Sequence, residues 1–176
     1  MSPLPRQGLA FSPESNRLAV AQTDNIVFVY KIGDDFGEKK VICNKFIQTS
    51  AVTCIAWPSE GPIIMGCADG KIRAAHCKTN KAQTLYNTDS YVCSVVVNNG
   101  GTCFLSGHAD GSIVRWYVAE DQQAKKQGKV VVHSIPPYAM AWATNHICVA
   151  GPDKKVVFYT QEGMMAQQFD YFRDAT

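Results

Sequence analysis

The feature that most constrains this chain is an internal repeat marked by four aspartates, which recur about every 43 residues. A small residue lies three positions before each aspartate, and a β-branched residue lies three positions after it. Agreement at several positions in four copies predicts four structural repeats of one kind. The aspartates are Asp24, Asp69, Asp110 and Asp153, the small residues are Ala21, Gly66, Gly107 and Ala150, and the β-branched residues are Val27, Ile72, Ile113 and Val156.

Each repeat is predicted to contain four short strands and no helix. The third strand of a repeat alternates between two faces, as Ile113 and Arg115 do against Val114 and Trp116. Asp-Gly pairs at 69–70 and 110–111 are typical of tight hairpin turns. The period matches the 40–45 residues or so of a WD-type blade, so the chain is expected to be an all-β, WD40-type β-propeller.

The predicted division has a short N-terminal extension, four blades and a C-terminal tail. The extension is 1–7, the blades are 8–48, 49–89, 90–136 and 137–170, and the tail is 171–176. Propellers close with roughly four to eight blades. Four blades of this width are expected to leave an incomplete, open arc, with a closed four-blade ring as the alternative. Open blade edges would favour self-association.

The WD signature is degenerate. Trp116 follows Asp110 by six positions, as the Trp of a WD repeat does, but no Asp follows that Trp. The usual Gly-His at the start of a blade is missing, and Gly107-His108 lies just before the hairpin turn instead. The blades are therefore expected to depend more on apolar packing than on the Asp–His–Ser/Thr–Trp hydrogen-bond network of well-formed WD blades.

Composition excludes several function classes. The net charge of +2 and the pI of about 8.1 are too mild to indicate nucleic-acid binding. No apolar run is long enough to span a membrane, and Met1–Gln7 does not read as a signal peptide. Seven cysteines without a Cys-x-x-Cys pair indicate small buried residues in a reducing compartment. No phosphate-binding or dinucleotide-binding glycine motif is present, so no cofactor is expected.

Ser106, His108 and Asp110 are the residue types of a hydrolytic triad. A triad needs the histidine to contact the nucleophile while the acid orients the histidine. Here the three residues lie within one strand and the turn after it, so their side chains are not expected to converge in that way. Asp110, like Asp24, Asp69 and Asp153, is expected to accept backbone hydrogen bonds in its turn. No catalytic or metal-binding residue is predicted, and the chain is not expected to be an enzyme.

Two surfaces are candidates for partner binding. The connections between third and fourth strands emerge on one face of a propeller, and three of them carry lysines that would form a basic arc for an acidic partner. On the opposite face, Tyr91 and Tyr138 lie in connections between blades, and tyrosine is favoured at protein interfaces. An ordinary solvated face and packing between blades are the respective alternatives. The lysines are Lys39, Lys40, Lys78, Lys81, Lys125 and Lys126.

Longer runs give a more specific resemblance. The matching segments are 23–33 (TDNIVFVYKIG), 39–54 (KKVICNKFIQTSAVTC), 106–111 (SGHADG), 136–145 (PPYAMAWATN) and 169–174 (FDYFRD). With these segments the chain resembles the N-terminal WD-repeat region of the largest subunit of intraflagellar transport complex B, over nearly its whole length. Members of that family have further WD blades and a long helical-repeat tail, so the resemblance implies that this chain is a fragment.

The resemblance implies a scaffold for assembling cilia or flagella and for transporting their cargo. It implies a location in the cilium or flagellum and at the basal body, on the cytoplasmic side. Its partners would be other proteins, above all subunits of complex B. Two alternatives remain open at this point: a generic WD-repeat adaptor of another cytoplasmic complex, such as a vesicle coat or a signalling assembly, and a propeller enzyme with its site at the central channel.

Overall fold

The computed structural model describes residues 8–33, 41–59, 61–119, 121 and 123–170. These residues form four antiparallel sheets of four strands, each sheet in sequence order, which confirms the predicted four-bladed WD-type propeller. Blade 1 contains β1 (Gly8–Phe11), β2 (Arg17–Ala21), β3 (Ile26–Lys31) and β4 (Val41–Ile47); blade 2 contains β5 (Val52–Ala56), β6 (Ile63–Cys67), β7 (Lys71–His76) and β8 (Lys81–Asn87); blade 3 contains β9 (Val92–Val97), β10 (Cys103–His108), β11 (Ser112–Val118) and β12 (Ala124–Val132); blade 4 contains β13 (Ala139–Trp142), β14 (His146–Ala150), β15 (Lys155–Thr160) and β16 (Met165–Asp170).

The hairpin between the second and third strands of every blade turns at the residue after the repeated aspartate. That residue has a positive φ in all four blades, between 59° and 85°. Glycine adopts this conformation without steric cost, which explains the Asp-Gly pairs of blades 2 and 3. A Cβ on Gly70 would lie 2.0 Å from the carbonyl oxygen of Thr88, so glycine is required there. Blades 1 and 4 use Asn25 and Lys154 at the same position.

Packing between blades follows the pleat of the strands, since alternate residues face opposite sides of a sheet. The residue three positions after the turn aspartate faces the following blade, and the residue six positions after it faces the preceding blade. The two sets meet in three apolar cores, one at each junction between neighbouring blades. Val27, Ile72 and Ile113 belong to the first set, and Ala75, Trp116 and Tyr159 belong to the second.

The first strands of the blades lie side by side on the inner edge of the propeller. β1 packs beside β5, β5 beside β9, and β9 beside β13. In the described part of the chain no comparable packing joins β13 to β1, so the four blades form an open arc. Consequently blade 1 and blade 4 each have one face that no other described blade covers. The described residues contain no helix able to cross a membrane.

Candidate functional site

The four repeated aspartates have the same local geometry at the turns. In each blade the Oδ1 atom accepts a hydrogen bond from the backbone N–H two residues later, at 3.0–3.3 Å. This side-chain turn holds the chain in the hairpin geometry. Burial pushes the pKa of Asp110 upward, but the hydrogen bonds from Ser112, together with His108 and Lys129, outweigh burial, and the pKa lies below its usual value. These side chains are engaged in local structure.

Ser106, His108 and Asp110 do not converge as a triad. Ser106 Oγ lies 3.0 Å from His108 Nε2 and also accepts a hydrogen bond from Trp116 Nε1 at 2.9 Å. The Asp110 carboxylate accepts hydrogen bonds from the backbone N–H and the hydroxyl of Ser112, at 3.0 and 2.6 Å. Ser106 and His108 are fully buried. A substrate therefore has no access to the serine oxygen.

The same contacts correct one expectation from the sequence. Blade 3 contains a Trp–Ser–His chain of hydrogen bonds, so it does not depend on apolar packing alone. Its histidine comes from β10, two residues after Ser106, where alternate side chains of a strand share a face. Blade 4 has a shorter version, in which His133 Nδ1 lies 2.6 Å from Tyr159 Oη. His133 lies before the first strand of blade 4. Tyr159 follows its turn aspartate by six positions, as Trp116 does in blade 3.

Burial lowers the pKa of both buried histidines. For His133, burial is the dominant cause of the lowered pKa, and the nearby Asp153 carboxylate acts in the opposite direction. The pKa of His108 is lowered mainly by burial, and the backbone of Ser90 and the Asp110 carboxylate act in the opposite direction. Both side chains therefore favour the neutral imidazole and serve the core of the propeller.

The structure changes the expected position of the lysines. Lys78 lies in the connection between β7 and β8, but Lys81 begins β8, and Lys125 and Lys126 lie within β12. β12 starts early because Val118 already pairs with Ala124, which leaves a short connection. The placement of Lys125 and Lys126 in a loop is therefore wrong. Lys39 and Lys40 lie outside the described residues.

The described lysines still share one region of the surface. Lys78, Lys81, Lys125 and Lys126 are all exposed. Gln83 Nε2 donates a hydrogen bond of 2.8 Å to Gln123 Oε1, which ties the outer strand of blade 2 to the connection before β12. Lys126 Nζ lies 4.0 Å from the centre of the Tyr86 ring. We call Lys78, Lys81, Lys125 and Lys126 the lysine rim.

The two candidate tyrosines contact each other. Tyr91 Oη and Tyr138 Oη are 2.9 Å apart, and both residues are half-buried between blades 3 and 4. Burial raises the pKa of Tyr91, and the hydrogen bond with Tyr138 raises it further. The pair joins the connections that lead into these two blades. A role of Tyr91 and Tyr138 in binding a partner stays a prediction.

The described cysteines form no disulfide bonds with one another, and most are at least half-buried. Burial raises the pKa of Cys54 to about 12 and that of Cys67 to about 11, so neither is a reactive thiolate at neutral pH. Cys43 departs from the expectation, because it is exposed on β4. No group of three metal-ligating side chains occurs within the residues that the structure describes.

Sequence reasoning missed two hydroxyls that connect neighbouring blades. Thr53 Oγ1 donates to the carbonyl oxygen of Val92 at 2.5 Å, and Ser94 Oγ donates to that of Pro137 at 2.6 Å. Each carbonyl belongs to the first strand of the next blade or to its approach. Thr53 and Ser94 stand at the same offset before the turn aspartate of their blades. That shared offset is the sequence signal that could have predicted these hydrogen bonds between blades.

Comparison with known proteins shows which sequences this chain is similar to. The family described as WD domain, G-beta repeat, matches residues 41–74 and 79–116. The chain is 58% identical over 168 residues to the intraflagellar transport protein 172 homolog of Homo sapiens, which covers 96% of this chain and 10% of that protein. It is 44% identical over 172 residues to intraflagellar transport protein 172 of Chlamydomonas reinhardtii, and the match covers 94% of this chain and 10% of that protein. The intraflagellar transport protein osm-1 of Caenorhabditis elegans is 43% identical over 163 residues, and the match covers 93% of this chain and 9% of that protein.

A solved structure shows the same architecture. A chain in the crystal structure of a mitotic checkpoint complex superposes with a TM-score of 0.74 at 20% identity, covering 92% of this chain and 50% of that one. At that identity the likeness concerns the fold alone. The sequence relatives are much closer, and the chain spans about a tenth of the length of these curated relatives. On those sequence matches, the chain belongs to the intraflagellar transport protein 172 family.

Proposed function

We propose that this chain is a non-enzymatic protein-interaction scaffold of intraflagellar transport complex B, and that it acts in the cilium or flagellum and at the basal body, on the cytoplasmic side. The observation that carries the proposal is the 58% identity to a protein named for intraflagellar transport, over 96% of the chain. Because the chain spans about a tenth of that protein, the role concerns the WD-repeat region alone. Its mechanism is rigid presentation of surfaces to other proteins.

The geometry supports a role without bond chemistry. The constellation of catalytic residue types at Ser106, His108 and Asp110 is occupied by hydrogen bonds inside blade 3. The serine and the histidine are fully buried. Cys54 and Cys67 have raised pKa values, which works against nucleophilic chemistry by either thiol. Antiparallel sheets joined by apolar cores supply rigid surfaces instead.

We propose the lysine rim as one surface that binds an acidic protein partner. Its four ammonium groups are exposed and come from neighbouring blades, so an acidic segment that follows the outer strands could approach several of them together. Each exposed ion pair contributes only about 0.2–1 kcal/mol, so the effect depends on several pairs acting together. Binding there should weaken as the salt concentration rises.

The test is incorporation of the tagged chain into complex B in ciliated cells. A variant with Lys78→Glu, Lys81→Glu and Lys125→Glu is compared with a control carrying Lys154→Glu and Lys155→Glu, which lie at the opposite end of the blades. We expect the rim variant to reduce co-purification with known complex B subunits by about tenfold, since three attractive pairs become repulsive. The control should bind as the unchanged chain does.

Two outcomes would contradict the proposal in separable ways. Equal co-purification of the rim variant and the unchanged chain would exclude the lysine rim as the binding surface and leave the role in complex B intact. Failure of the unchanged, folded chain to associate with complex B, together with stable association with another cytoplasmic assembly in cells that lack cilia, would overturn the transport role itself.

A further inference from the structure

The hairpin between β9 and β10 carries the only Asn-Gly pair of the sequence, Asn99-Gly100. The N–H of Gly101 donates a hydrogen bond of 2.9 Å to the carbonyl oxygen of Asn98, which closes a tight turn with the pair at its centre. Both residues of the pair are exposed. The turn therefore presents an asparagine and the glycine after it directly to water.

The two asparagines of this hairpin differ in their contacts. Asn98 Oδ1 accepts hydrogen bonds from the backbone N–H groups of Thr102 and Cys103, at 3.0 and 2.9 Å. Within the described part of the chain, no hydrogen bond engages the Asn99 side chain or the Gly100 N–H. The Asn99 amide and the Gly100 nitrogen are consequently not held apart by other contacts.

A side-chain amide and the backbone nitrogen that follows it can react with each other. The Gly100 nitrogen loses its proton to the solvent and attacks Asn99 Cγ, the bond from Cγ to the side-chain nitrogen breaks, and ammonia leaves. Water then opens the resulting succinimide ring at either carbonyl carbon, which gives aspartate or isoaspartate. Glycine favours the attack, because no side chain crowds its nitrogen and its backbone rotates readily.

We propose that Asn99 is a site of spontaneous deamidation, at which the folded chain converts its asparagine into aspartate and isoaspartate. The reactants are the Asn99 side chain, the Gly100 nitrogen and water, and the turn brings all three together without another molecule. The inference does not depend on the proposed transport role.

The two Asp-Gly pairs provide a comparison within the same fold, because an Asp-Gly pair forms the same ring by losing water. In Asp69-Gly70 and Asp110-Gly111 the glycine N–H donates to the carbonyl oxygen of Cys67 or His108, at 3.1 and 2.9 Å. The carboxylates also accept backbone hydrogen bonds inside their turns. The fold therefore restrains both groups that would have to react, whereas it leaves them unrestrained at Asn99-Gly100.

Isoaspartate would change a contact between blades 2 and 3. Ser59, between β5 and β6, donates its hydroxyl to the Gly100 carbonyl oxygen at 3.3 Å, and a Cβ on Gly101 would lie 2.3 Å from Ser59 Oγ. Isoaspartate inserts an extra backbone atom into this closely packed turn and leaves a carboxylate beside it. We expect the turn to lose the Ser59 contact and to add a negative charge to the face that carries Lys78.

The test is a time course of the purified 176-residue chain in mildly alkaline buffer, with one sample folded and one unfolded in guanidinium chloride. Peptide mapping by mass spectrometry with electron-transfer fragmentation measures aspartate and isoaspartate at each position. We expect Asn99 to react in the folded chain within about tenfold of its rate in the unfolded chain. Folding should slow isomerisation at Asp69 and Asp110 by more than about tenfold.

Gly100→Ala tests the attacking nitrogen. The alanine side chain crowds that nitrogen, yet its Cβ would lie 3.7 Å from Thr102 Oγ1, so the turn is retained. We expect the reaction at Asn99 to slow at least about tenfold. Ser134→Ala, exposed at the opposite end of the blades, is the control and should react as the unchanged chain does. Far-UV circular dichroism checks that both variants are folded.

Asn99→Asp separates the effect of the charge from that of the longer backbone. Ion-exchange chromatography isolates the chain that has gained isoaspartate, and urea denaturation compares it with the Asn99→Asp variant. Both carry the new carboxylate, but only isoaspartate lengthens the turn. We therefore expect the isoaspartate form to unfold at a lower urea concentration.

Three results would overturn these expectations. Conversion of Asn99 in the unfolded chain but not in the folded chain would show that the hairpin protects the pair. Equal rates in Gly100→Ala and the unchanged chain would show that the Gly100 nitrogen is not the attacking group. Equal urea midpoints of the isoaspartate form and Asn99→Asp would show that the contact between blades tolerates the longer turn.

Discussion

At the scale of single residues, the centre of blade 3 combines apolar and polar contacts. Trp116 is almost fully buried, lies parallel to Phe104 at 5.5 Å between ring centres, and meets Tyr86 edge-on at 5.8 Å. Its indole N–H donates to Ser106 Oγ, which also contacts His108. A buried polar group is costly when it loses its partner, so one hydroxyl satisfies two other side chains here.

Removing that hydroxyl should therefore destabilise the whole blade. Ser106→Ala leaves Trp116 Nε1 and His108 Nε2 buried without their shared partner, and we expect the free energy of unfolding to fall by about 1–3 kcal/mol. Urea denaturation followed by tryptophan fluorescence measures it. Ser134→Ala, at an exposed position, should stay within about 0.5 kcal/mol of the unchanged chain. Equal stability of the two variants would contradict this account.

The buried histidines predict a pH dependence of stability. Burial lowers the pKa values of His108 and His133 in the folded chain below the usual 6.5. Below that pH the unfolded chain binds more protons than the folded one, so stability is retained above about pH 6.5 and falls as the pH decreases. Urea midpoints at pH values above and below 6.5 measure this loss. We expect His108→Gln to reduce the loss, and an unchanged pH dependence in that variant would contradict a role for His108.

At the scale of strands, the spacing between neighbouring blades depends on small residues. A Cβ on Gly66 would lie 2.5 Å from Val92 Cγ1, and a Cβ on Gly107 would lie 2.6 Å from Pro137 Cγ. The missing side chain lets the first strand of the next blade come close enough for the hydrogen bonds that Thr53 and Ser94 donate. Close approach and hydrogen bonding therefore act together at the inner edge of the propeller.

Adding one methyl group tests this spacing. Gly66→Ala forces Val92 and Cys54 to move, and we expect a loss of about 1–3 kcal/mol in the free energy of unfolding. Gly100→Ala is the matched control, because its Cβ would lie 3.7 Å from Thr102 Oγ1, an ordinary van der Waals distance. Thermal unfolding by circular dichroism compares the two. A Gly66→Ala variant as stable as Gly100→Ala would show that the blades can separate without cost.

At the scale of the whole molecule, the substantial packing between described strands of different blades joins blades that are neighbours in the sequence. Such an arrangement is quasi-one-dimensional, and its stability is the sum of blade and junction contributions. Blades 2 and 3 each share two apolar cores, whereas blades 1 and 4 share one each. The ends of the arc should therefore open more readily than its middle.

Hydrogen exchange should reveal this gradient in a monomeric sample. We expect amides of β6, β7, β10 and β11 to exchange more slowly than those of β2, β3, β14 and β15. Mass spectrometry of exchanged peptides measures the difference. Uniform protection across the four blades would contradict the prediction and indicate one cooperative unit.

The repeat in the sequence was sufficient to predict the class of fold and the role of the turns. The turn aspartate, the small residue three positions before it and the β-branched residue three positions after it recur in all four copies, and local chemistry dictates their geometry. The hydrogen-bond chain of blade 3 was not predicted, since the expected Gly-His position was missing and His108 reaches Ser106 only because alternate residues of β10 share a face. The position of Lys125 and Lys126 was also wrong, because a strand boundary depends on where pairing begins.

What the sequence by itself determined is the repeating blade, because strand alternation and turn chemistry act over a few residues. What only the tertiary structure decided is which repeated residues become core. Leu9 and Ile55 occupy equivalent positions, yet one is exposed and the other packs against a neighbouring blade. Likewise Phe46 and Phe169 have the same place in the register and opposite burial. Burial depends on a neighbour in space, and no single repeat encodes whether that neighbour is there.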